Sequence, residues 1–157
     1  MRPGQLQTLV RRGLASGAVA GAAALGFLIG IGRHAGTVWR PVNAAASTVL
    51  GARADGVWSY HGSVTPVGGL VVLVMSALAG FGVARITTSS RTLHIVAAAA
   101  GVTLTSYLLH LHVAARAPGG LAALLSVGEL RGLYLTLGIA LAAGMRFAFR
   151  GVAGASA

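Results

Sequence analysis

The hydrophobic and polar positions divide the chain into four long apolar runs separated by polar stretches that carry arginine. The runs cover 13–32, 66–86, 93–115 and about 127–149. Each is close to the roughly 20 apolar residues that a helix needs to cross the ~30 Å hydrocarbon core of a bilayer. The pattern therefore predicts an all-α chain: a single transmembrane domain over 1–157, built as an integral membrane four-helix bundle. Local signals mark the ends. Thr65 followed by Pro66 reads as an N-cap with proline at the first helical position. The stretch "SVGE", Ser126 to Glu129, has the S-x-x-E form of a capping box. That box starts the fourth helix near Val127 and leaves "RAPGGLAALLS" as an apolar connection in the membrane interface. The first run follows "VRRG", the layout of a secretory signal, but it exceeds the ~7–15 apolar residues of such a signal. It is read as a retained span.

The segment 33–65 is the sizeable stretch outside the spans. Trp39 stands near its start and Trp58 and Tyr60 near its end, residue types that favour the headgroup level. Between them, Pro41 to about Arg53 reads as a short interfacial helix. The loop is expected to lie on the membrane as a lid and to offer a docking surface.

Small residues recur at every fourth position within the spans. The first has Gly13, Gly17 and Gly21, then Gly26 and Gly30; the second has Ser76, Gly80 and Ala84. The fourth has Gly128, Gly132, Thr136, Ala140, Gly144 and Ala148. In lipid, apolar burial gives helices no special reward for contact, so close backbone approach must supply it. One reading is internal packing of the bundle. The other is that one stripe, that of the first span foremost, faces another subunit, because four helices do not need three separate small-residue faces.

Composition agrees with the membrane reading and removes other classes. Hydrophobic residues make up 55% of the 157 and charged residues 9%, against about 25% charged in soluble domains; mean hydropathy is +0.80. The net charge is +10, from twelve basic residues, all arginine, against Asp55 and Glu129. The arginines stand singly at the edges of apolar runs, which is a topology signal and not a nucleic-acid groove. Arg2, Arg11, Arg12, Arg85, Arg91, Arg146 and Arg150 fall on one side, and Arg33, Arg40, Arg53, Arg116 and Arg131 on the other. The richer side is expected to be cytoplasmic, with both termini, in a bacterial inner membrane. An all-arginine, Ala- and Gly-rich chain fits a high-GC bacterial genome. Absence of cysteine excludes disulfides, thiolate metal sites and a cysteine nucleophile.

Little of the remaining chemistry suits catalysis. Between their rims the spans hold no Asp, Glu, Lys or Arg, the costly groups that mark intramembrane sites. Glu129 is accounted for by the capping box, and Arg131 by a guanidinium snorkelling to the headgroups. No Ser-His-Asp set can be read, and the glycine-rich stretches lack the strand and lysine of a phosphate loop. A charged midplane transport site is also missing. Among the histidines, His34, His61, His110 and His112 belong to the expected outer face and His94 to the inner one. His94 and His110 stand 16 positions apart, about 24 Å along a helix, too far to clasp one haem. His61, His110 and His112 are candidates for Zn or Cu. Yet 110 and 112 point about 200° apart around a helix, so hydrogen bonding and headgroup contact are the simpler roles. A haem or pigment shared with another subunit through a single histidine stays open.

The loop motif "WRPVNAAA" at 39–46 with Gly51, then Thr65, Gly68, "ARAPG" at 115–119, and Tyr134 with Gly138 and Gly144, resembles a family of uncharacterised small bacterial inner-membrane proteins with four predicted spans. In that pattern an Asp often stands where this chain has His110, and an acidic residue often follows the Pro-Gly, where this chain has Gly120 and Leu121. The family implies the fold and lends no activity, and those two departures argue against a shared acidic site. The sequence thus leads to a non-catalytic accessory or structural subunit of a larger bacterial membrane complex, a respiratory or photosynthetic one foremost. Its partners would be membrane lipids and other integral membrane subunits, with no nucleic acid and no cofactor of its own. The alternative is a metal- or haem/pigment-binding membrane protein using the outer histidines; an enzyme or small transporter lacks a site.

Overall fold

The computed structural model describes residues 3–87, 89–112 and 120–153. Helix α1 spans Pro3–His34, α2 Arg40–Leu50, α3 Thr65–Ile86, α4 Thr92–His112, α5 Leu121–Leu124 and α6 Val127–Ala153, with a 3-10 turn at Gly51–Ala54 after α2. Four of these, α1, α3, α4 and α6, are long and apolar enough to cross a membrane. The all-α, four-span architecture read from the hydropathy is the one observed.

Boundaries differ from expectation at α1, α3 and α6. Helix α1 begins ten positions before the apolar run, at Pro3. Hydropathy marks the part of a helix that suits hydrocarbon, whereas the backbone ladder continues through the arginines at its rim. Helix α6 likewise runs on to Ala153. The expected end of the third span at 115 lies outside the described residues, as does "ARAPG"; the described helix ends at His112. Thr65 is also not a cap. The residue before α3 is Val64, without a side-chain cap bond, because the Thr65 hydroxyl is taken by other partners described below. The Ser126–Glu129 capping box does form: the Ser126 amide donates to Glu129 Oε2 (2.8 Å) and the Glu129 amide to Ser126 Oγ (3.2 Å).

The four long helices form a ring in the order α1, α3, α4, α6, with α1 packed most extensively, against α3 on one flank and α6 on the other. What allows this closeness is the absence of side chains. Gly17 sits against the backbone of Ser76 and Ala77, and Gly80 against the backbone of Gly13 and Gly17. Gly144 faces the backbone of Ser16, whose fully buried hydroxyl donates to the Leu141 carbonyl (2.8 Å). A methyl group at Gly17 would lie 2.5 Å from Ala77 Cα, so no larger residue fits without parting the helices. Gly13, Gly21 and Gly132 instead face side chains, those of Phe81, Leu73 and Phe27. Thus Gly13, Gly17 and Gly21 are spent inside the chain, on α3, and do not form the face toward another subunit that the sequence spacing allowed.

Larger residues fill the space between these crossings. Toward the Arg11–Arg12 end, Val83, Ile95, Leu141 and Met145 close the core; toward the α2 end, Leu28, Val42, Leu130 and Leu133 do. Many other bulky side chains point outward, among them Leu70 and Leu78 on α3, Leu104 on α4, and Leu135 and Ile139 on α6. Small inside and large outside is the arrangement expected where the solvent is hydrocarbon.

Candidate functional site

Segment 33–65 is built around one side chain, Asn43. Proline in the first turn pre-sets the backbone for α2, and the alanines that follow let it lie close on the bundle. Residues Pro41 to Ala46 are all buried. Helix α2 rests mainly on α3 and touches α1, with the Val42 carbonyl directly against Gly68. The expected surface lid is therefore an embedded cap: its inner face is core, and Val42 belongs to the same cluster as Leu28 and Leu133.

Asn43 is fully buried, and both its amide hydrogens and its carbonyl oxygen are engaged. Nδ2 donates to the carbonyls of Val57 (3.0 Å) and Ser59 (2.9 Å), while Oδ1 accepts from Thr65 Oγ1 (2.7 Å). Thr65 Oγ1 in turn accepts from the His61 amide (3.0 Å). One amide thereby ties α2, the returning loop and the first turn of α3. An amide can make both donations and the acceptance at once, which explains why asparagine stands in an otherwise apolar helix. Gly51, at φ +56°, lets the chain turn out of α2. Outside this knot, Trp39 meets Tyr60 edge-on at 5.6 Å, and the Arg40 guanidinium lies 3.8 Å above the Trp58 ring. Trp58 and Tyr60 are exposed and Trp39 is half-buried.

The three candidate histidines have different surroundings. His61 is exposed, with Nδ1 3.1 Å from Ser63 Oγ. His110 is half-buried, its Nδ1 2.9 Å from the Tyr134 hydroxyl, and it tucks edge-on against that ring. His112 is exposed on the other side of α4. Among the described residues, no three His, Asp or Glu side chains gather where they could hold a metal ion. Tyr134, noted in the sequence only as part of the family motif, is the centre of a small polar group with Tyr107 and His110. Its partner could be foreseen only as something on α4's polar side.

The two ends of the bundle differ in charge. At one, Arg12 stacks on Phe149 (3.9 Å) and Arg146 donates to Thr92 Oγ1, so the N-terminal part of α1, the C-terminal part of α6 and the start of α4 meet there. The other carries α2, α5, Arg40 and Arg131. No family model matches the chain, nor does any curated protein or solved structure.

Proposed function

We propose that this chain is a non-catalytic subunit of a larger bacterial inner-membrane complex, joined to its partner through the free face of α1. The observation that carries the proposal is a second small-residue stripe. Ala18, Ala22, Gly26 and Gly30 recur at every fourth position on the side of α1 turned away from α3. The first three are exposed, and a methyl group added at Gly26 or Gly30 would meet nothing within 4 Å. The outward faces of α3 and α6 carry mainly Leu, Ile, Val or other bulky residues. Helix α4 has the shorter small stretch Ala97, Ala100 and Gly101, whereas this stripe of α1 leaves the backbone bare over four positions. Bare backbone gains little from lipid tails but much from a second helix lying close against it. The polar groups most able to do chemistry are meanwhile engaged in holding the fold: Asn43, Thr65, Ser16 and Glu129.

Purification of the full chain in mild detergent, with mass spectrometry of what accompanies it, tests the proposal. A partner chain should remain bound to the wild type and be lost from Gly26→Leu, while the melting temperature stays unchanged. A partner-free monomer, or a partner kept by Gly26→Leu, would refute it.

The same reading places both termini in the cytoplasm, since the arginine-rich end holds Arg11, Arg12, Arg85, Arg91, Arg146 and Arg150. A cytoplasmic reporter fused at the C-terminus should be active and a periplasmic one silent; the reverse would invert the topology.

A further inference from the structure

A groove of about 510 Å³ runs between α4 and α6 on the outer surface of the bundle. Val96, Ala100 and Tyr107 line it from α4, and Arg131, Gly138 and Ala142 from α6. From Val96 to Tyr107, and from Arg131 to Ala142, is 11 positions, about 16 Å of helix at 1.5 Å per residue. Half of a ~30 Å hydrocarbon core is about the same length. The groove is therefore one leaflet deep. Its walls are mainly apolar, with Thr103 midway along them, and its larger polar groups, Tyr107, Tyr134 and Arg131, stand toward the α2 end.

At that end Arg131 and Tyr107 face the groove. Arg131 is exposed and makes no hydrogen bond or ion pair among the described residues. The nearest carboxylate in sequence, Glu129, is turned back onto Ser126. The Tyr107 hydroxyl likewise has no hydrogen-bond partner among the described residues, while its ring is held edge-on at 5.4 Å by Tyr134, whose own hydroxyl pairs with His110 Nδ1. Arg131 lies four positions into α6; the contacts of Gly138 with Thr103 and of Tyr134 with His110 set Tyr107 one helical turn, ~6 Å, deeper in the groove. A guanidinium with donors to spare matches a phosphate, and a phenol one turn deeper matches the ester carbonyl that follows it in a phospholipid. Without a carboxylate beside it, Arg131 favours a ligand with net negative charge.

We propose that this groove binds one anionic phospholipid from the leaflet on the α2 side, its phosphate held by Arg131, its ester region beside Tyr107 and one acyl chain lying along α4 and α6. The site is independent of the α1 face, so the loss of one leaves the other standing.

The test uses delipidated full chain in detergent with phosphatidylglycerol carrying a photoactivatable acyl chain, competed by phosphatidylglycerol or by phosphatidylcholine. Adducts should map to 96–107 and 131–142, and native mass spectrometry should show one retained lipid. Unlabelled phosphatidylglycerol should compete better than phosphatidylcholine. Arg131→Gln should lower the yield about fivefold, the equivalent of ~1 kcal/mol for an arginine with anionic lipid. Ala100→Phe, at an exposed groove position, should block both lipids by filling the channel. Arg33→Gln, an exposed arginine away from the groove, should change nothing. Circular dichroism confirms that each variant is folded. Adducts scattered over all four spans, equal competition by the two lipids, or an Arg131→Gln yield equal to wild type would overturn the site.

Discussion

Replacing Gly80 by leucine should be among the most damaging single changes in this chain, lowering stability by about 3 kcal/mol or more. Insertion of bulk into a packed core costs typically 1–3 kcal/mol, and more when nothing can yield. Here the obstacle is backbone. A methyl group at Gly80 would already lie 2.6 Å from the Gly17 amide nitrogen and 2.9 Å from Gly17 Cα. The two helices would have to separate along their whole crossing, with loss of the dispersion that holds α1 to α3. The effect should be graded by what each glycine faces. Gly144→Leu, against Ser16 Cα at 2.8 Å, should rank next and also strain the Ser16–Leu141 hydrogen bond. Gly132→Leu should cost less, since the Phe27 ring can swing aside. Gly26→Leu should be neutral for stability. Melting temperatures in one detergent give the order; equal values for Gly80→Leu and Gly26→Leu would show that the close crossing does not matter.

Asn43→Ala should be the other large loss, about 3–5 kcal/mol. The substitution leaves the carbonyls of Val57 and Ser59 and the Thr65 hydroxyl without the partner they share. Each buried group left unsatisfied costs about 1–3 kcal/mol, reduced where water reaches the loop from the exposed side. Asn43→Asp should rescue little: it keeps an acceptor for Thr65 but removes both donations and buries a charge. Amide hydrogen exchange gives a local reading. The His61 amide, bonded to Thr65 Oγ1, should exchange much faster in Asn43→Ala, while amides in the middle of α1 stay protected. Unchanged protection at 57–65 would mean that the cap is held by apolar packing alone.

The His110–Tyr134 pair shows how a residue can be half-legible. The face of α4 bearing Thr103, Tyr107 and His110 was visible from spacing, since those positions follow the helical period. That this face meets Tyr134 depends on how far α6 is rotated, and rotation is set by Gly138 and Gly144 fitting against Thr103 and Ser16. The same holds for Glu129, but with the opposite outcome. Its partner lies three residues away, so the capping box could be read without any tertiary knowledge.

By itself, then, the sequence determined what is local or what depends on the solvent. Runs of about twenty apolar residues commit the backbone to helices, because hydrocarbon offers no partner for an unpaired amide. Arginine spacing marks where the spans meet headgroups, and proline and the capping box mark helix starts. The tertiary structure decided which of several equivalent faces is used. Two stripes of small residues on α1 look alike in sequence; α3 covers Gly13, Gly17 and Gly21 and leaves Ala18, Ala22, Gly26 and Gly30 bare. It also drew α2 into the bundle: Asn43 reaches partners 14 to 22 positions away, and Gly68 admits the Val42 carbonyl. Such contacts join groups far apart in the chain, and no periodicity encodes them, because whether a small residue or a polar amide is buried depends on what the rest of the fold brings against it.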